Sequence, residues 1–579
     1  MNLTAFLALS GVIRQAAALS QWQTNRKSTW GTLDNPTYPK WLPDPSTNQL
    51  QSRDSSSLPP WGTRTAANTN PYTNPPNTGV TRTYDFTLSR GLASPDGYQK
   101  QVILVNDQFP GPLIEANWGD TIQVTVHNNI TGPDEGTALH WHGFLQKGSP
   151  WFDGVPSAQQ CPIVPGQSLT YSFQADLFGT SWYHSHYSSQ YAGGLLGPIL
   201  VHGPVHEDYD IDLGPIILAD WFHKEYFDII KLVASTNSSN WLQYSDNNLI
   251  QGYAKFKFQK GKKHLLRLIN TSAAGLERFS IDGHTLTVVA NDFVPVQPYQ
   301  ANYVTLGVGQ RLHVIVEGTG SVNGSYWMRS NISEICNLPL QPHGLAAIYY
   351  DDADTNALPT SAANFYPGDD GSCTTDPLNV TVPYYPIQPS EPSITQFITI
   401  NEIVNATGNL VWTIDGSAAH VDYNKAIYLL ANENNLTYPL EPTWNVYNIY
   451  DNSSVRIVLQ NAHEFSHPIH IHGHNMYILA EGEGTWDGTI IRPNNPQRRD
   501  TQQLRSNGYI VIQYETDNPG VWPLHCHIAW HVSMGFYIAL IERPDDIAQA
   551  SVPQAIKNTC VAWNKYTKNN VIQQIDSGV

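Results

Sequence analysis

The sequence predicts an all-β protein that folds into three consecutive β-sandwich domains. Short runs of alternating apolar and polar residues, such as "QKQVILVN", "DTIQVTVHN" and "SLTYSF", are separated by Gly, Pro, Asn and Asp. This is the pattern of sandwich strands and their turns. The 579 residues are enough for three or four domains. Helical periodicity is sparse, and we predict one short helix near "DWFHKEYFDIIKLV".

An internal repeat indicates how many of the domains are related. The stretches "LHWHGF" and "IHIHGH" share the pattern H-x-H-G, and "GTSWYHSHYSSQYAGGL" aligns without gaps with "GVWPLHCHIAWHVSMGF". The alignment pairs His184 with His525, His186 with His527, Ser185 with Cys526, Gln190 with His531, and Leu195 with Phe536. A middle copy, "GSYWMRSNISE", lacks every histidine. We therefore expect metal ligands in the first and last domains and none in the middle one.

The two ends of the chain differ from this β-rich body. An apolar stretch from Leu3 to Ile13, followed by small residues, predicts a secretory signal peptide that is cleaved near residues 18–20. The next segment is rich in Asn, Thr, Ser and Pro and predicts an irregular extension. The predicted divisions are a signal peptide at 1–20, an extension at 21–78, sandwich domains at 79–206, 207–375 and 376–545, and a C-terminal tail at 546–579.

The net charge and the glycosylation motifs indicate which partners and which cellular compartment suit the protein. A formal charge of −18 argues against nucleic acid as a partner, because phosphate binding needs an excess of Lys and Arg. No run of 18 apolar residues follows the start, so we expect no membrane span. Asn-x-Ser/Thr motifs suit a glycosylated, secreted protein. They lie at Asn129, Asn237, Asn270, Asn323, Asn331, Asn379, Asn405, Asn435 and Asn452.

Four H-x-H pairs are the candidate metal ligands. Alternate residues of a strand point to the same face, so each pair can direct two imidazoles into one space. Eight imidazoles from two domains suit a multi-metal cluster at a domain interface, and imidazole binds Zn, Cu, Fe and Ni. The pairs are His140 and His142, His184 and His186, His470 and His472, and His525 and His527.

A separate thiolate site indicates which metal is bound. Cys526, together with His467 and His531, supplies one thiolate and two imidazoles, the trigonal set of a blue-copper site. A zinc hydrolase is the alternative, but zinc would leave the trigonal cysteine site without a purpose. Because Cys526 lies between His525 and His527, one peptide segment joins the two sites and offers a short path for electrons to a cluster that can reduce O₂.

These motifs resemble those of the multicopper oxidases, and specifically of the laccases of ascomycete fungi. "HWHG", "HSH", "HPIHIHGH" and "HCHIAWH" carry the resemblance, which covers residues 62–579. It implies cupredoxin-like Greek-key domains and four copper ions, of which one is type 1, one is type 2 and two are type 3. The implied type 1 ligands are His467, Cys526 and His531, the type 2 ligands are His140 and His470, and the type 3 ligands are His142, His184, His186, His472, His525 and His527.

The resemblance also implies roles for residues around the copper sites. Phe536 matches the type 1 axial position and cannot ligate, which predicts a high redox potential, and Met534 lies two residues short of that position. Asp153 matches a carboxylate that delivers protons to the cluster; the alternative is an Asp that forms a turn. Glu277 is the best match for a carboxylate that takes the phenol proton; the alternative is a surface Glu paired with Arg278 or a Lys.

The remaining cysteines and the C terminus complete the expectations. With Cys526 assigned to copper, four cysteines remain, and they allow three pairings into two disulfides. The resemblance implies the pairs Cys161–Cys560 and Cys336–Cys373. It also implies that the last residues plug the tunnel to the cluster, where the alternative is a frayed end. These residues are Asp576, Ser577, Gly578 and Val579.

Together these features predict a secreted, monomeric laccase. It would take single electrons from small phenols, such as diphenols, methoxyphenols and lignin fragments, and reduce O₂ to water, without nucleic acid or membrane partners. Oxidation of Fe(II), or a bilirubin-type oxidase, is the alternative within the fold; four Met residues are few for an oxidase of Cu(I). A copper-binding protein without turnover would lack ligands, and an electron carrier would leave the cluster histidines unexplained.

Overall fold

A computed structural model describes residues 59–251, 255–363, 371–437 and 442–569. Within these ranges the chain forms three consecutive pairs of packed β-sheets, which confirms the predicted all-β class and the three sandwich domains. The predicted signal peptide, most of the extension and the proposed C-terminal plug lie outside the described residues. None of the helices in the described part is both long and apolar enough to cross a membrane.

The first domain packs two four-stranded sheets, ordered β2-β1-β4-β6 and β3-β8-β7-β5. Its strands are β1 (Thr81–Ala93), β2 (Lys100–Val105), β3 (Ile114–Asn117), β4 (Thr121–Asn129), β5 (Leu139–Trp141), β6 (Ser168–Gln174), β7 (Gly179–Ser185) and β8 (Leu196–His202). In β4 the apolar residues Ile122, Val124 and Val126 are fully buried while their neighbours are partly exposed. This alternation is what the sequence pattern predicts for a strand with one face on the core.

The second domain packs a six-stranded sheet, β10-β9-β12-β17-β14-β15, on a five-stranded sheet, β11-β19-β18-β13-β16. Its strands are β9 (Ile211–Trp221), β10 (Asn247–Gln251), β11 (Lys255–Lys257), β12 (Lys263–Asn270), β13 (Glu277–Ile281), β14 (Leu286–Asn291), β15 (Val294–Ala301), β16 (Val304–Leu306), β17 (Arg311–Glu317), β18 (Ser325–Ile332) and β19 (His343–Tyr349).

The third domain repeats this plan, with sheets ordered β21-β20-β23-β28-β25-β26 and β22-β30-β29-β24-β27. Its strands are β20 (Ile394–Val404), β21 (Leu410–Ile414), β22 (Val446–Tyr450), β23 (Ser454–Asn461), β24 (His467–Ile471), β25 (Met476–Glu483), β26 (Gln497–Arg499), β27 (Thr501–Leu504), β28 (Gly508–Glu515), β29 (Gly520–Cys526) and β30 (Tyr537–Glu542). Every residue of β29 is buried, as is every residue of β7 in the first domain.

The strand register supports the internal repeat. In each domain the third and fourth strands of one sheet form a corresponding pair: β7 and β5, β18 and β13, or β29 and β24. The register of these pairs sets Leu139 opposite Ser185, Phe279 opposite Ser330, and Ile469 opposite Cys526. The middle copy predicted from "GSYWMRSNISE" is therefore β18, and Ser330 is the counterpart of Cys526.

Helices occupy little of the described chain. The α-helices are α1 (Tyr226–Val233), α2 (Ile427–Asn432), α3 (Ala529–Ser533), α4 (Pro544–Gln549) and α5 (Gln554–Asn569), and short 3-10 turns lie at Pro150–Phe152, Gln190–Gly193, Ser238–Asn240 and Pro442–Trp444. Helix α1 confirms the one helix that the sequence predicts. Helix α5 was not predicted, although Ile556, Cys560 and Trp563 recur at helical spacing; Ile556 and Trp563 are fully buried and Cys560 is half-buried.

Both expected disulfides are present. Cys161 is bonded to Cys560, with their Cα atoms 4.8 Å apart, so helix α5 is tied to the first domain across 399 residues. Cys336 is bonded to Cys373, with a Cα separation of 5.5 Å. Cys526 is free and buried.

The structure corrects one predicted glycosylation site and disfavours a second. Asn270 is fully buried, and its side-chain amide donates hydrogen bonds to the carbonyls of Gly275 and Leu306. A glycan has no room there in the folded chain, so the prediction for Asn270 is wrong. Asn331 is only 9% exposed. The motifs on the surface are Asn129, Asn237, Asn323, Asn379 and Asn435, with Asn405 and Asn452 half-buried.

Candidate metal centres

The predicted cluster histidines lie at or just beyond the C-terminal ends of four strands, β5, β7, β24 and β29. His140 stands opposite His184 in the β5/β7 pair, and His470 stands opposite His525 in the β24/β29 pair. The second histidine of each H-x-H pair follows two residues later along the chain. The first and third domains thus each bring four imidazoles to one end of a sheet, as strand alternation predicts.

These two sets of imidazoles face each other across the interface of the first and third domains. Each ring of one domain packs on a ring of the other, at centroid distances between 3.9 and 5.2 Å. The facing pairs are His142 with His470, His140 with His472, His186 with His525, and His184 with His527. Among the described residues, groups that could hold an ion are His140/His470/His472, His140/His142/His184, and His186/His472/His525.

Two of the H-x-H pairs are followed by a glycine that the backbone conformation requires. Gly143 and Gly473 adopt φ angles of +81° and +69°, a left-handed conformation that favours glycine. A side chain at Gly143 would lie 2.6 Å from the Arg311 guanidinium and from the Asp500 carboxylate, and one at Gly473 would collide with the Trp522 ring. The H-x-H-G motif therefore turns the chain sharply behind the second histidine.

Hydrogen bonds fix which nitrogen each ring presents to the cluster. A ring nitrogen that faces a carbonyl or carboxylate oxygen must carry the proton, which leaves the other nitrogen as the metal ligand. The Nδ1 atoms of five rings donate in this way, at 2.8 to 3.0 Å: His140, His184, His470, His472 and His525. The inward Nε2 atoms of His140, His184 and His470 are buried and have no hydrogen-bond partner.

Seven of the eight cluster rings have lowered pKa values, which favours the neutral form that metal ligands need. Burial lowers the pKa of His525 to about 4. Burial and the neighbouring imidazoles also hold the pKa values of other rings well below the usual value: His142, His184, His186, His470, His472 and His527. Unpaired, unprotonated nitrogens in a buried pocket are costly without a bound cation, so the donor set fits metal ions.

Asp153 lies beside the cluster and contacts histidines of both domains. Its carboxylate accepts a hydrogen bond from Nδ1 of His472 at 2.8 Å and lies 3.2 Å from Nδ1 of His140. The amide of Gln159 donates to the same carboxylate at 3.1 Å. Asp153 is fully buried, so the structure places it next to the cluster, where the sequence prediction needs it.

A second buried carboxylate, Asp500, was missed by sequence reasoning. Its Oδ1 lies 3.0 Å from Nε2 of His142, and both of its oxygens accept from the Arg311 guanidinium at 2.6 Å. Asp292 and Arg499 extend this ionic network. Burial opposes ionisation of Asp292, but Arg499 and Arg311 outweigh it and lower its pKa. The run "RRD", with both arginines only 2% exposed, is the signal that could have indicated it.

The predicted mononuclear site is also assembled. Cys526 Sγ lies 3.7 Å from Nδ1 of His467 and 3.3 Å from Nδ1 of His531. Burial lowers the pKa of His531 to about 3, with a smaller contribution from His463, and burial also lowers the pKa of His467. His467 and Cys526 are fully buried, whereas His531 is partly exposed. A donor in solvent can therefore approach this site at the edge of His531.

Aromatic rings enclose the mononuclear site. The Phe536 ring is fully buried, with its centroid 5.0 Å from that of His467, and it lies parallel to the ring of His531 at 6.3 Å. Trp412 packs on His467 at 4.5 Å and on His531 at 5.0 Å. Met534 is buried in the adjoining apolar cluster. The placement of Phe536 agrees with the expectation that this side chain, which has no ligand atom, lines the site.

The equivalent positions in the other two domains carry hydrogen bonds in place of metal ligands. In the first domain, Ser185 and Thr137 donate to the side-chain oxygen of Gln190 at 2.7 and 3.0 Å. In the second domain, the counterpart of His467 is Glu277, whose carboxylate accepts from Ser330 at 2.6 Å. The middle domain thus has no cysteine or histidine at this place.

This repeat relationship accounts for the burial of Glu277. The side chain is 0% exposed and also accepts hydrogen bonds from Asn248 and Ser272. Burial raises the pKa of Glu277 to about 8. Its carboxylate faces the interior of the second domain, where a phenol arriving from solvent does not reach it. The placement therefore contradicts the prediction that Glu277 takes the phenol proton, and equally the alternative of a surface Glu.

Comparison with protein families agrees with this architecture. Three multicopper oxidase family models match the chain in succession, at residues 87–206, 212–353 and 390–546. The matched segments fall on the first, second and third sandwich domains.

Known proteins resemble the chain over most of its length. Laccase-2 of Botryotinia fuckeliana is 36% identical over 100% of this chain and 99% of its own. The crystal structure of the laccase from Botrytis aclada is 34% identical and covers 89% of this chain and 100% of its own, with a TM-score of 0.81. Fet3p, a multicopper oxidase that functions in iron import, is 25% identical over 86% of this chain and 98% of its own, with a TM-score of 0.78. The chain therefore belongs to the multicopper oxidase family and is an oxidoreductase of the fungal laccase type.

Proposed function

We propose that the enzyme is a secreted laccase that oxidises phenols by one electron at a type 1 copper site and reduces O₂ to water at a trinuclear copper site. The observation that carries the proposal is the continuity of strand β29 into residue 527. Cys526 belongs to the mononuclear site, and its two chain neighbours, His525 and His527, belong to the cluster. The site where single electrons would enter is thereby connected to the site where O₂ would consume four electrons, through one peptide bond on each side of Cys526.

The residues of the two sites fit the proposed set of four copper ions. His467, Cys526 and His531 would hold the type 1 ion, His140 and His470 the type 2 ion, and the six other cluster histidines the type 3 pair. When bound, these ions would accept single electrons from the donor and supply four to O₂. The chain itself orients the imidazoles through hydrogen bonds and buries most of the cluster, and Asp153, which lies beside His472 and His140, would supply protons there.

Access to the two sites differs in a way that suits two substrates. His531 is partly exposed, so an aromatic donor can approach the mononuclear site from solvent. A cavity also reaches the cluster, and its lining includes His184, His186, His525, Val421 and Tyr423. A small apolar molecule such as O₂ suits this second approach.

Secretion and the phenolic substrate rest on several supporting features. The disulfides suit an oxidising compartment, and five Asn-x-Ser/Thr motifs lie on the surface. The similarity to fungal laccases favours small phenols and O₂ as substrates. The similarity to Fet3p keeps oxidation of Fe(II) as the second candidate function.

The proposal is tested by O₂ uptake of the purified, copper-loaded protein with a methoxyphenol and with Fe(II) in parallel, together with an assay for peroxide. Rapid uptake with the phenol, four substrate radicals per O₂ and no peroxide are expected, because reduction of O₂ to water takes four electrons. Uptake with Fe(II) alone would assign the enzyme as a metallo-oxidase. Uptake with neither donor would overturn the proposed function.

A further inference from the structure

Oxidation of a phenol to its radical releases one proton, and none of the residues assigned so far accepts it. The neutral phenol becomes a phenoxyl radical only when its O–H bond breaks, so an acceptor near the point of electron transfer speeds the step. Glu277, the acceptor that the sequence predicts, is buried in the second domain. The residues around the mononuclear site contain another carboxylate, and its use deepens the proposed function, on which it rests.

This second carboxylate belongs to Glu402 of strand β20. In the β20/β21 pair, Glu402 stands directly opposite Trp412, the ring that packs on both His467 and His531. Trp412 is 1% exposed, and its indole N–H is buried without a hydrogen-bond partner among the described residues. Glu402 therefore lies on strand β20, next to strand β21, which carries the tryptophan that packs against the mononuclear site.

His463 contacts both Glu402 and Trp412. The ring of His463 packs edge-on against Trp412, with centroids 5.1 Å apart, and its Nε2 lies 3.1 Å from Glu402 Oε2. Its Nδ1 accepts the backbone N–H of Phe465 at 3.3 Å, so Nδ1 carries no proton and Nε2, which lies beside Glu402 Oε2, carries one. The backbone N–H of His463 is in turn bonded to the side chain of Asn461 at 3.0 Å.

The pair is placed for contact with solvent. The side chains of His463 and Glu402 are 19% and 15% exposed, in contrast to the 0% exposure of Glu277. The described residues offer no hydrogen bond to the other carboxylate oxygen of Glu402, Oε1. This oxygen is free to accept a proton, while the other oxygen, Oε2, lies 3.1 Å from Nε2 of His463.

We propose that Glu402, paired with His463, accepts the phenolic proton during substrate oxidation. The phenol O–H bond breaks as an O–H bond forms on Oε1 of Glu402, and one electron passes to the oxidising copper site. A neutral phenoxyl radical leaves, and Glu402 then releases the proton to water. O₂ is the final oxidant, as in the activity of the family, so electrons and protons balance.

The test compares two donors in the copper-loaded enzyme. A methoxyphenol must lose a proton with its electron, whereas ferrocyanide gives an electron alone. Glu402→Gln should lower kcat/KM for the phenol by roughly a hundredfold and leave that for ferrocyanide unchanged. Anaerobic reduction of the blue absorption band by each donor, followed by stopped flow, should show the same contrast. The deficit should shrink with more acidic phenols, which reach the enzyme already ionised.

A second readout does not depend on turnover. 4-Nitrophenol is a poor electron donor, and its absorption reports its binding and its ionisation. Glu402→Gln should weaken binding of 4-nitrophenol by roughly tenfold, since a charge-assisted hydrogen bond is lost. Glu464→Gln is the matched control: Glu464 is exposed, lies next to His463 in sequence, and changes the charge equally.

The outcomes separate this inference from the proposed function. Equal losses with both donors would indicate a structural role for Glu402, and an unchanged phenol rate would show that it is not the acceptor; either result overturns the inference. Loss of phenol activity in Glu277→Gln but not in Glu402→Gln overturns it as well. A wild-type enzyme that oxidises ferrocyanide but no phenol would instead overturn the proposed function.

Discussion

The Asp153 carboxylate of the first domain lies 2.8 Å from Nδ1 of His472 in the third domain. The same carboxylate lies 3.2 Å from Nδ1 of His140, on its own domain. One buried acidic group therefore contacts imidazoles on both sides of the interface. This geometry supports a role in proton delivery and in holding the cluster together.

Replacement of Asp153 by Asn should slow O₂ reduction more than donor oxidation. The amide keeps the size of the side chain but cannot carry a proton to the cluster. Loss of such a partner typically costs 10- to 100-fold in activity or metal affinity, so we expect roughly that loss in turnover. Stopped-flow reoxidation by O₂ and copper analysis measure the two contributions. Unchanged reoxidation with full copper would exclude Asp153 from proton delivery.

Replacement of Phe536 by Met should lower the redox potential of the mononuclear site. Phe536 lines the site without a ligand atom, whereas a thioether there would stabilise Cu(II) relative to Cu(I). A redox titration of the blue absorption band measures the potential, and Phe536→Leu is the control for lost ring packing. A potential equal to or higher than that of the parent would contradict the assignment of Phe536 to the axial position.

Replacement of Glu277 by Gln should change the pH dependence of stability. Burial raises the pKa of Glu277 from 4.5 to about 8, so the folded chain binds the proton more tightly than the unfolded chain. Stability from this group is full below about pH 4.5 and is lost as pH rises to about 8, by on the order of 4 kcal/mol. Gln mimics the protonated acid and should flatten this decline.

Denaturant unfolding at pH 5 and pH 8 measures this effect. The variant should resemble the parent at pH 5 and exceed it at pH 8, with phenol oxidation retained. A decline of equal size in both proteins would place the carboxylate in a more polar environment than the contacts with Asn248 and Ser330 indicate.

The sequence predicted those parts of the structure that depend on local patterns. H-x-H spacing on a strand fixes the direction of both imidazoles, and the gapless repeat located Cys526 and His531 relative to their counterparts. The two disulfides followed from the family resemblance. These features need only short stretches of chain to be recognised.

The parts that were missed depend on contacts between distant segments. Arg311 of the second domain holds Asp500 of the third, and no spacing in the sequence links them. Glu277 was misjudged because its short motif resembled a substrate carboxylate, whereas the fold shows it to be the counterpart of His467. Helix α5 was not predicted because its apolar positions are few and lie beyond the β-rich body of the chain.

Replacement of Cys526 by Ser should disable electron entry and spare the cluster. The hydroxyl cannot supply the thiolate of the mononuclear site, while His525 and His527 keep their contacts across the interface. We expect loss of the blue absorption band and of steady-state oxidation of all donors, with about one copper fewer per chain. Retained oxidation at a substantial rate would show that electrons enter elsewhere.

Anomalous X-ray diffraction at the copper edge, from crystals of the copper-loaded enzyme, tests the central claim most directly. The account predicts three copper peaks among the eight imidazoles at the interface of the first and third domains, and one peak between His467, Cys526 and His531. Absence of the isolated peak, or fewer than three peaks in the cluster of a fully active enzyme, would contradict the assignment of these residues.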